Sequence, residues 1–170
     1  AIIPKRPGRG PIRIEVKDML LAKRKLSPEL YSLLRKYNIK ACYLFGSQRE
    51  EGERFFDGKK VSTQQGSDLD VGIVMGEECY PKKAIFDELY LALTLYFEPF
   101  EIDLVFLNEK DPLFQYEAIK GSLLYEADPR FTEEYEEMVL KRASDIALKW
   151  NQFEQDFLEA IRDGYFEIEL

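Results

Sequence analysis

Three short apolar runs, at residues 41–45, 69–75 and 102–107, set the strongest limit on what this chain can fold into. Each has the length of a strand, and each is bounded by Gly, Lys, Asp, Glu or Asn. Helical patterns fall between and after them. Ser27-Pro28-Glu29 opens the first, with Leu30, Leu33, Leu34 and Tyr37 on one face and an end near Asn38. A second, at 82–97, is apolar from Leu89 onward and is stopped by Pro99. A third runs from Asp111-Pro112 to Gly121. Residues 123–125 suit a short edge strand. From Pro129 to about Asp163, Phe131, Tyr135, Met138, Arg142, Ile146, Trp150, Phe153, Phe157 and Ile161 recur every three or four positions. The alternation predicts an α+β (mixed α/β) fold: a small mixed sheet with helices packed on it and a long C-terminal helix.

At 170 residues the chain is one domain's worth of polypeptide. Residues 1–13, rich in Pro, Gly and Arg, read as an extended basic arm. Residues 14–170 read as a single domain, with its core at about 30–127 and its terminal helix at about 129–163. The last apolar residues, Tyr165, Phe166, Ile168 and Leu170, continue the supply to the end. The opening stretch lacks the hydrophobic core of a signal peptide, and no run reaches the length of a membrane span, so a cytoplasmic protein is expected. Cys42 reads as a small core residue and Cys79 precedes a Tyr-Pro loop, which offers no disulfide framework.

With 24 basic and 32 acidic residues the net charge is −8, which argues against strong binding to duplex DNA. Histidine is absent. That excludes Ser-His-Asp and Cys-His catalysis and imidazole-ligated metals, and leaves oxygen ligands for any divalent ion.

Three pieces of sequence carry chemistry. Gly46-Ser47 directly follows the first strand, where a tight turn and outward amides suit a phosphate; the plain alternative is that Ser47 only caps a helix. In Gly66-Ser67-Asp68-Leu69-Asp70, side-chain alternation puts Asp68 and Asp70 on one face. Two such carboxylates repel, and a divalent cation reverses that cost. Asp103 interrupts the apolar strand Ile102-Asp103-Leu104-Val105-Phe106, a position that is costly unless exposed, paired or liganded. Should the second and third strands be neighbours, the three carboxylates converge on the oxygen-only ligand set that suits Mg²⁺.

Between Ser47 and Asp68 lie 20 residues, Gln48 to Ser67. Within them Asp57-Gly58 stands between strand-like pairs and predicts a hairpin, which would carry Lys59 and Lys60 as a basic flap over an anionic substrate. The plain alternative is a solvated tip. The long terminal helix has two readings as well: packing on its own domain, or extension past it to a partner.

The order strand, Gly-Ser, Asp-x-Asp, lone Asp resembles the minimal nucleotidyltransferases (MNT-type) of the DNA-polymerase-β-like superfamily. The segment from Tyr116 to Glu126 is similar to the one that closes the small domain there, and the likeness spans about residues 30–127. Two departures stand out: the 20-residue spacing is about twice the usual one, and Glu50 occupies the family's Arg position, with Arg49 one place earlier. The resemblance implies transfer of a nucleoside monophosphate from an NTP, ATP foremost, to a hydroxyl acceptor. Asp68, Asp70 and Asp103 would be catalytic and would hold Mg²⁺ or Mn²⁺. Gly46, Ser47 and Ser67 would bind the nucleotide, joined by Lys59 and Lys60 if the flap exists. It further implies an antitoxin acting on a HEPN-type toxin, and leaves room for a homo-oligomer. The alternatives are a non-catalytic binding module working through its C-terminal helix, or a transferase acting on a small molecule of the aminoglycoside kind.

Overall fold

Ser27 caps the first helix, its side chain accepting from the Leu30 amide at 3.2 Å while Pro28 takes the first turn. Helix α1 (Pro28–Lys36) buries Leu30 and Leu34 and ends as Asn38 turns to φ 51°, feeding β1 (Ile39–Phe45). The computed structural model describes residues 26–62, 67–76 and 83–163. The expected arm at 1–13, Gly66, Cys79 and the apolar residues after 164 lie outside the described residues.

The remaining elements are α2 (Arg49–Phe56), β2 (Leu69–Met75), α3 (Lys83–Tyr96), β3 (Ile102–Phe106) and a 3-10 turn (Leu107–Glu109), then α4 (Pro112–Ile119), β4 (Ser122–Glu126) and α5 (Pro129–Arg162). Asp111 caps α4 and Asp128 caps α5, each accepting from backbone amides of the first turn. The sheet order is β3-β2-β1-β4. Strand β1 runs antiparallel to β2 and β4, whereas β2 and β3 are parallel. A parallel pair needs a crossover, and α3 lies in that connection. The short strand expected at 123–125 is β4, on the sheet edge.

Side chains alternate across the sheet and define two cores. Cys42, Leu44, Leu69, Val71, Ile73, Ile102, Leu104 and Phe106 face a layer made of Leu30 and Leu34 from α1 and Leu89 and Leu93 from α3. Leu34, Leu89 and Leu93 are wholly buried, each contributing about 1.5–3 kcal/mol of transfer free energy. Ala41, Tyr43, Phe45 and Val74 face the other way, onto Ala118 and Ile119 of α4 and Tyr135 and Val139 of α5. Burial pushes the Cys42 thiol up to about 12, so it is packing and not a nucleophile.

The hairpin expected at Asp57-Gly58 does not form. Residues 54–56 are the last turn of α2, Asp57 is its C-cap, and Gly58 at φ 71° ends it. The Gly58 amide donates to the Phe55 carbonyl and the Lys59 amide to the Arg54 carbonyl, the paired bonds of a Schellman end. The physical reason lies elsewhere in the chain. Phe55 packs on Tyr96, Phe97 and Phe100, which fixes residues 54–56 as a helix face rather than a strand.

Helix α5 meets the described core through its first half. Its buried residues, Thr132, Tyr135, Val139 and Ala143, all fall in the first half, while Trp150 and Phe153 are each 62% exposed. Among the described residues no helix is long and apolar enough to cross a membrane.

Candidate active site

The parallel register of β2 and β3 places Asp70 directly opposite Asp103. On its other side Asp70 is paired with Phe45, the last residue of β1, so the Gly46 turn sits beside both carboxylates. Leu69 and Ile102 point into the α1/α3 core, which turns Asp70 and Asp103 to the opposite face. Asp103 is exposed there, as is Asp68 just before β2, while Asp70 is half-buried.

Burial raises the Asp70 carboxyl above its ordinary value, and the charges of Asp103 and then Asp68 push the same way. Gly46 is what makes room for it. At φ 74° its backbone occupies the left-handed region, and a Cβ there would fall 1.9 Å from Asp70 Oδ2. The turn and the carboxylate are therefore packed as one unit.

Ser47 does not cap α2. The N-cap is Gln48, which makes no side-chain capping bond. Instead the Ser47 and Ser67 hydroxyls lie 2.8 Å apart, tying the turn after β1 to the residue that precedes Asp68. Gln48 reinforces the tie: only 3% exposed, it donates from its amide to the Ser67 carbonyl. Gln48 is a positioning residue that the sequence did not reveal, because a Gln after Gly-Ser carries no periodic or motif signal. Arg49, next along, stands 3.7 Å from Glu50 and 4.0 Å from Glu53 on its own helix.

Lys59 and Lys60 are not brought to the carboxylates by a hairpin. They follow the far end of α2, about 12 Å along the helix from its start, and Lys59 Nζ lies 3.5 Å from Asp57. The chain then returns beside α2, where the Ser62 amide donates to Glu51 at 2.9 Å.

Gly46, Ser47, Ser67, Asp70 and Asp103 thus gather at one end of the sheet, with Asp68 close enough to influence Asp70. Among the described residues no group of three or more acidic or thiol side chains is arranged to hold a metal ion as it stands.

Known proteins with this architecture give the arrangement a family. The model of the family "Polymerase beta, Nucleotidyltransferase" matches residues 29–130, which run from the first turn of α1 through β4. Among solved structures, the chain is similar to one in a MntA–HpeT toxin–antitoxin mutant, with 15% identity and a TM-score of 0.55, over 76% of this chain and 96% of the other. A toxin–antitoxin structure with AMP-PNP matches at 16% identity and TM-score 0.55, over the same shares. A third describes a tri-AMPylated HEPN toxin of Shewanella oneidensis in complex with an MNT antitoxin. It matches at 15% identity and TM-score 0.52, over 82% of this chain and 98% of that one. No curated protein matches the chain. A family match across the whole sheet, on a fold that carries Gly-Ser, Asp-x-Asp and a third Asp at one sheet end, makes this chain a member of the polymerase β nucleotidyltransferase family.

Proposed function

We propose that the protein is a Mg²⁺-dependent nucleotidyltransferase that moves a nucleoside monophosphate from an NTP, ATP foremost, to a hydroxyl of a HEPN-type toxin for which it is the antitoxin. The observation that carries the transferase reading is the direct pairing of Asp70 with Asp103 beside Gly46. Toxin–antitoxin complexes among the similar structures support the choice of acceptor.

The donor set fits a hard divalent cation: Asp68, Asp70 and Asp103 offer only oxygen, and the Asp70 carboxyl, raised by burial first and by the charges of Asp103 and Asp68 after it, carries a cost that a cation would relieve. When bound, Mg²⁺ or Mn²⁺ would neutralise the triphosphate and its departing pyrophosphate. The chain's own residues do the rest. Gly46, which no side chain can replace without displacing Asp70, lets the phosphates approach the turn, and the Ser47 and Ser67 hydroxyls donate to them. Asp103, exposed on the same face, accepts the proton of the attacking hydroxyl. The acceptor oxygen bonds to the α-phosphorus as the bond from that phosphorus to the bridging oxygen breaks, and pyrophosphate leaves in line.

The test is incubation with Mg²⁺, α-labelled ATP and a purified HEPN-type protein, with Asp103→Asn as control. Label on the partner, lost in the variant, is the expected result. No label from any NTP, on the partner or in a lysate, overturns transfer. Glu50, in the position where the family has Arg, favours one rival, a binding module without catalysis, which would bind the partner and leave it unlabelled.

A further inference from the structure

Gln48, the N-cap of α2, and Glu51 and Arg54 within the helix stand three positions apart. Each makes a side-chain bond to the main chain of the connection between α2 and β2. Arg54 Nη2 donates to the Lys60 carbonyl at 3.2 Å, Glu51 Oε2 accepts from the Ser62 amide at 2.9 Å, and Gln48 Nε2 donates to the Ser67 carbonyl. The helix residues descend from 54 to 48 as their partners ascend from 60 to 67, so the bonds form an antiparallel ladder that climbs toward the site. Glu51 Oε1 also lies 3.8 Å from Arg54 Nε, which joins the two lower rungs. Val61, between those rungs, packs on the core beneath α1 and α3. Arg49 pairs instead with Glu50 and Glu53 of its own helix.

Bonds to the main chain fix the path of a connection whatever side chains it carries. The top rung is the one that meets the site: it holds the Ser67 carbonyl while the Ser67 hydroxyl stands 2.8 Å from that of Ser47. Gln48 is only 3% exposed, a setting in which water does not replace a lost side-chain bond. A 20-residue connection has many arrangements to give up before Ser67 settles at the turn, and each rung removes some of them beforehand. We infer that Gln48, Glu51 and Arg54 are positioning residues for nucleotide binding, which hold the connection at Ser67, Ser62 and Lys60 so that the Ser67 hydroxyl meets the triphosphate beside Ser47. The inference rests on the proposed reading of this site as a nucleotide site. The three residues act through Ser67 and not on the nucleotide itself.

Titration calorimetry of the full chain with Mg²⁺ and the non-hydrolysable analogue AMP-PNP reads the effect without turnover. Ser67→Ala, Gln48→Ala and Glu51→Ala should each weaken binding by about fivefold or more, the worth of one hydrogen bond in a buried or charged setting. Glu51→Gln keeps an oxygen for the Ser62 amide and loses only a long, partly exposed pairing with Arg54, so it should stay within about twofold of the parent. Gln48→Ala added to Ser67→Ala should cost no more than about a further twofold, because the hydroxyl that Gln48 delivers is already gone. Hydrogen exchange supplies a readout that needs no nucleotide: peptides carrying Ser62 and Ser67 should exchange faster in Gln48→Ala and Glu51→Ala, while those of β1 stay unchanged. Circular dichroism checks the fold, and the partly exposed Glu51 carries the test if Gln48→Ala does not fold. Variants that bind as tightly as a binding-competent parent overturn the ladder and leave the nucleotide site standing. So does Glu51→Gln failing as badly as Glu51→Ala, or a Gln48→Ala loss that multiplies in full onto Ser67→Ala, since either gives these residues a role other than placing Ser67. A parent that binds no analogue overturns the nucleotide reading and the inference together, a failure told apart from the others by the parent alone.

Discussion

Gly46 answers to two constraints that a substitution separates. Its φ of 74° costs an alanine about 1–2 kcal/mol, and the same Cβ would meet Asp70 Oδ2 at 1.9 Å. Gly46→Ala is therefore expected to destabilise the protein by more than the backbone cost alone. Chemical denaturation in an Asp70→Ala background should recover the excess and leave the backbone cost behind. Asp70 has its own linkage. Its carboxyl is raised in the fold, so the folded state holds the proton more tightly than the unfolded chain, and stability falls as pH rises through the carboxylate range toward the folded value. Asp70→Asn removes that loss. In EDTA at neutral pH the variant should melt at or above the parent, and the difference should vanish in acid, where both states of the parent are protonated. Transfer should meanwhile fall by about a hundredfold or more, the scale of losing one preorganised electrostatic group at a reacting centre. A variant that melts below the parent in EDTA would show that Asp70 holds the fold rather than straining it.

At the scale of elements, Gly58 is the useful contrast to Gly46. It has φ 71° but open space within 4 Å of where a Cβ would sit, so Gly58→Ala should cost only the conformational term, about 1 kcal/mol, and leave transfer intact. Lys59→Ala with Lys60→Ala tests what remains of the flap. From the far end of α2 their attraction for a triphosphate should be largely screened, so titration calorimetry is expected to find Mg²⁺-ATP affinity within about twofold of the parent near 0.15 M salt. The same end of α2 shows where sequence reasoning stopped. Asp-Gly supplies the left-handed residue that both a hairpin and a helix terminus need, and the local pattern cannot choose between them. Phe55 chooses, by meeting rings some forty residues further along. The strands were more legible, because β1 and β2 are buried on both faces along most of their length and β3 is an apolar run broken only by Asp103. The three carboxylates stood out against that background. Their register did not, since the pairing of Asp70 with Asp103 depends on which strands become neighbours. Gln48 was invisible for a related reason: its partner is a backbone carbonyl 19 residues away.

At the scale of the whole molecule, the distal half of α5 adds no buried residue to the two cores among the described residues. Every buried residue of that helix precedes Ser144. Truncation after Leu148 is thus expected to leave the melting temperature of the protein within about 2–4 °C of the parent, the shift of roughly 1 kcal/mol at this size. Scanning calorimetry of the two proteins measures the difference. The single parallel strand pair has a consequence of another kind, in the order of assembly. Strand β1 can zip onto β2 through a local antiparallel pairing, but β3 must arrive after a long crossover, and its arrival presses Asp103 against Asp70. The last strand to join this sheet edge is therefore held back by the very charges that equip the site. Refolding should quicken in mild acid or in the presence of Mg²⁺, either of which lifts that electrostatic barrier to closure.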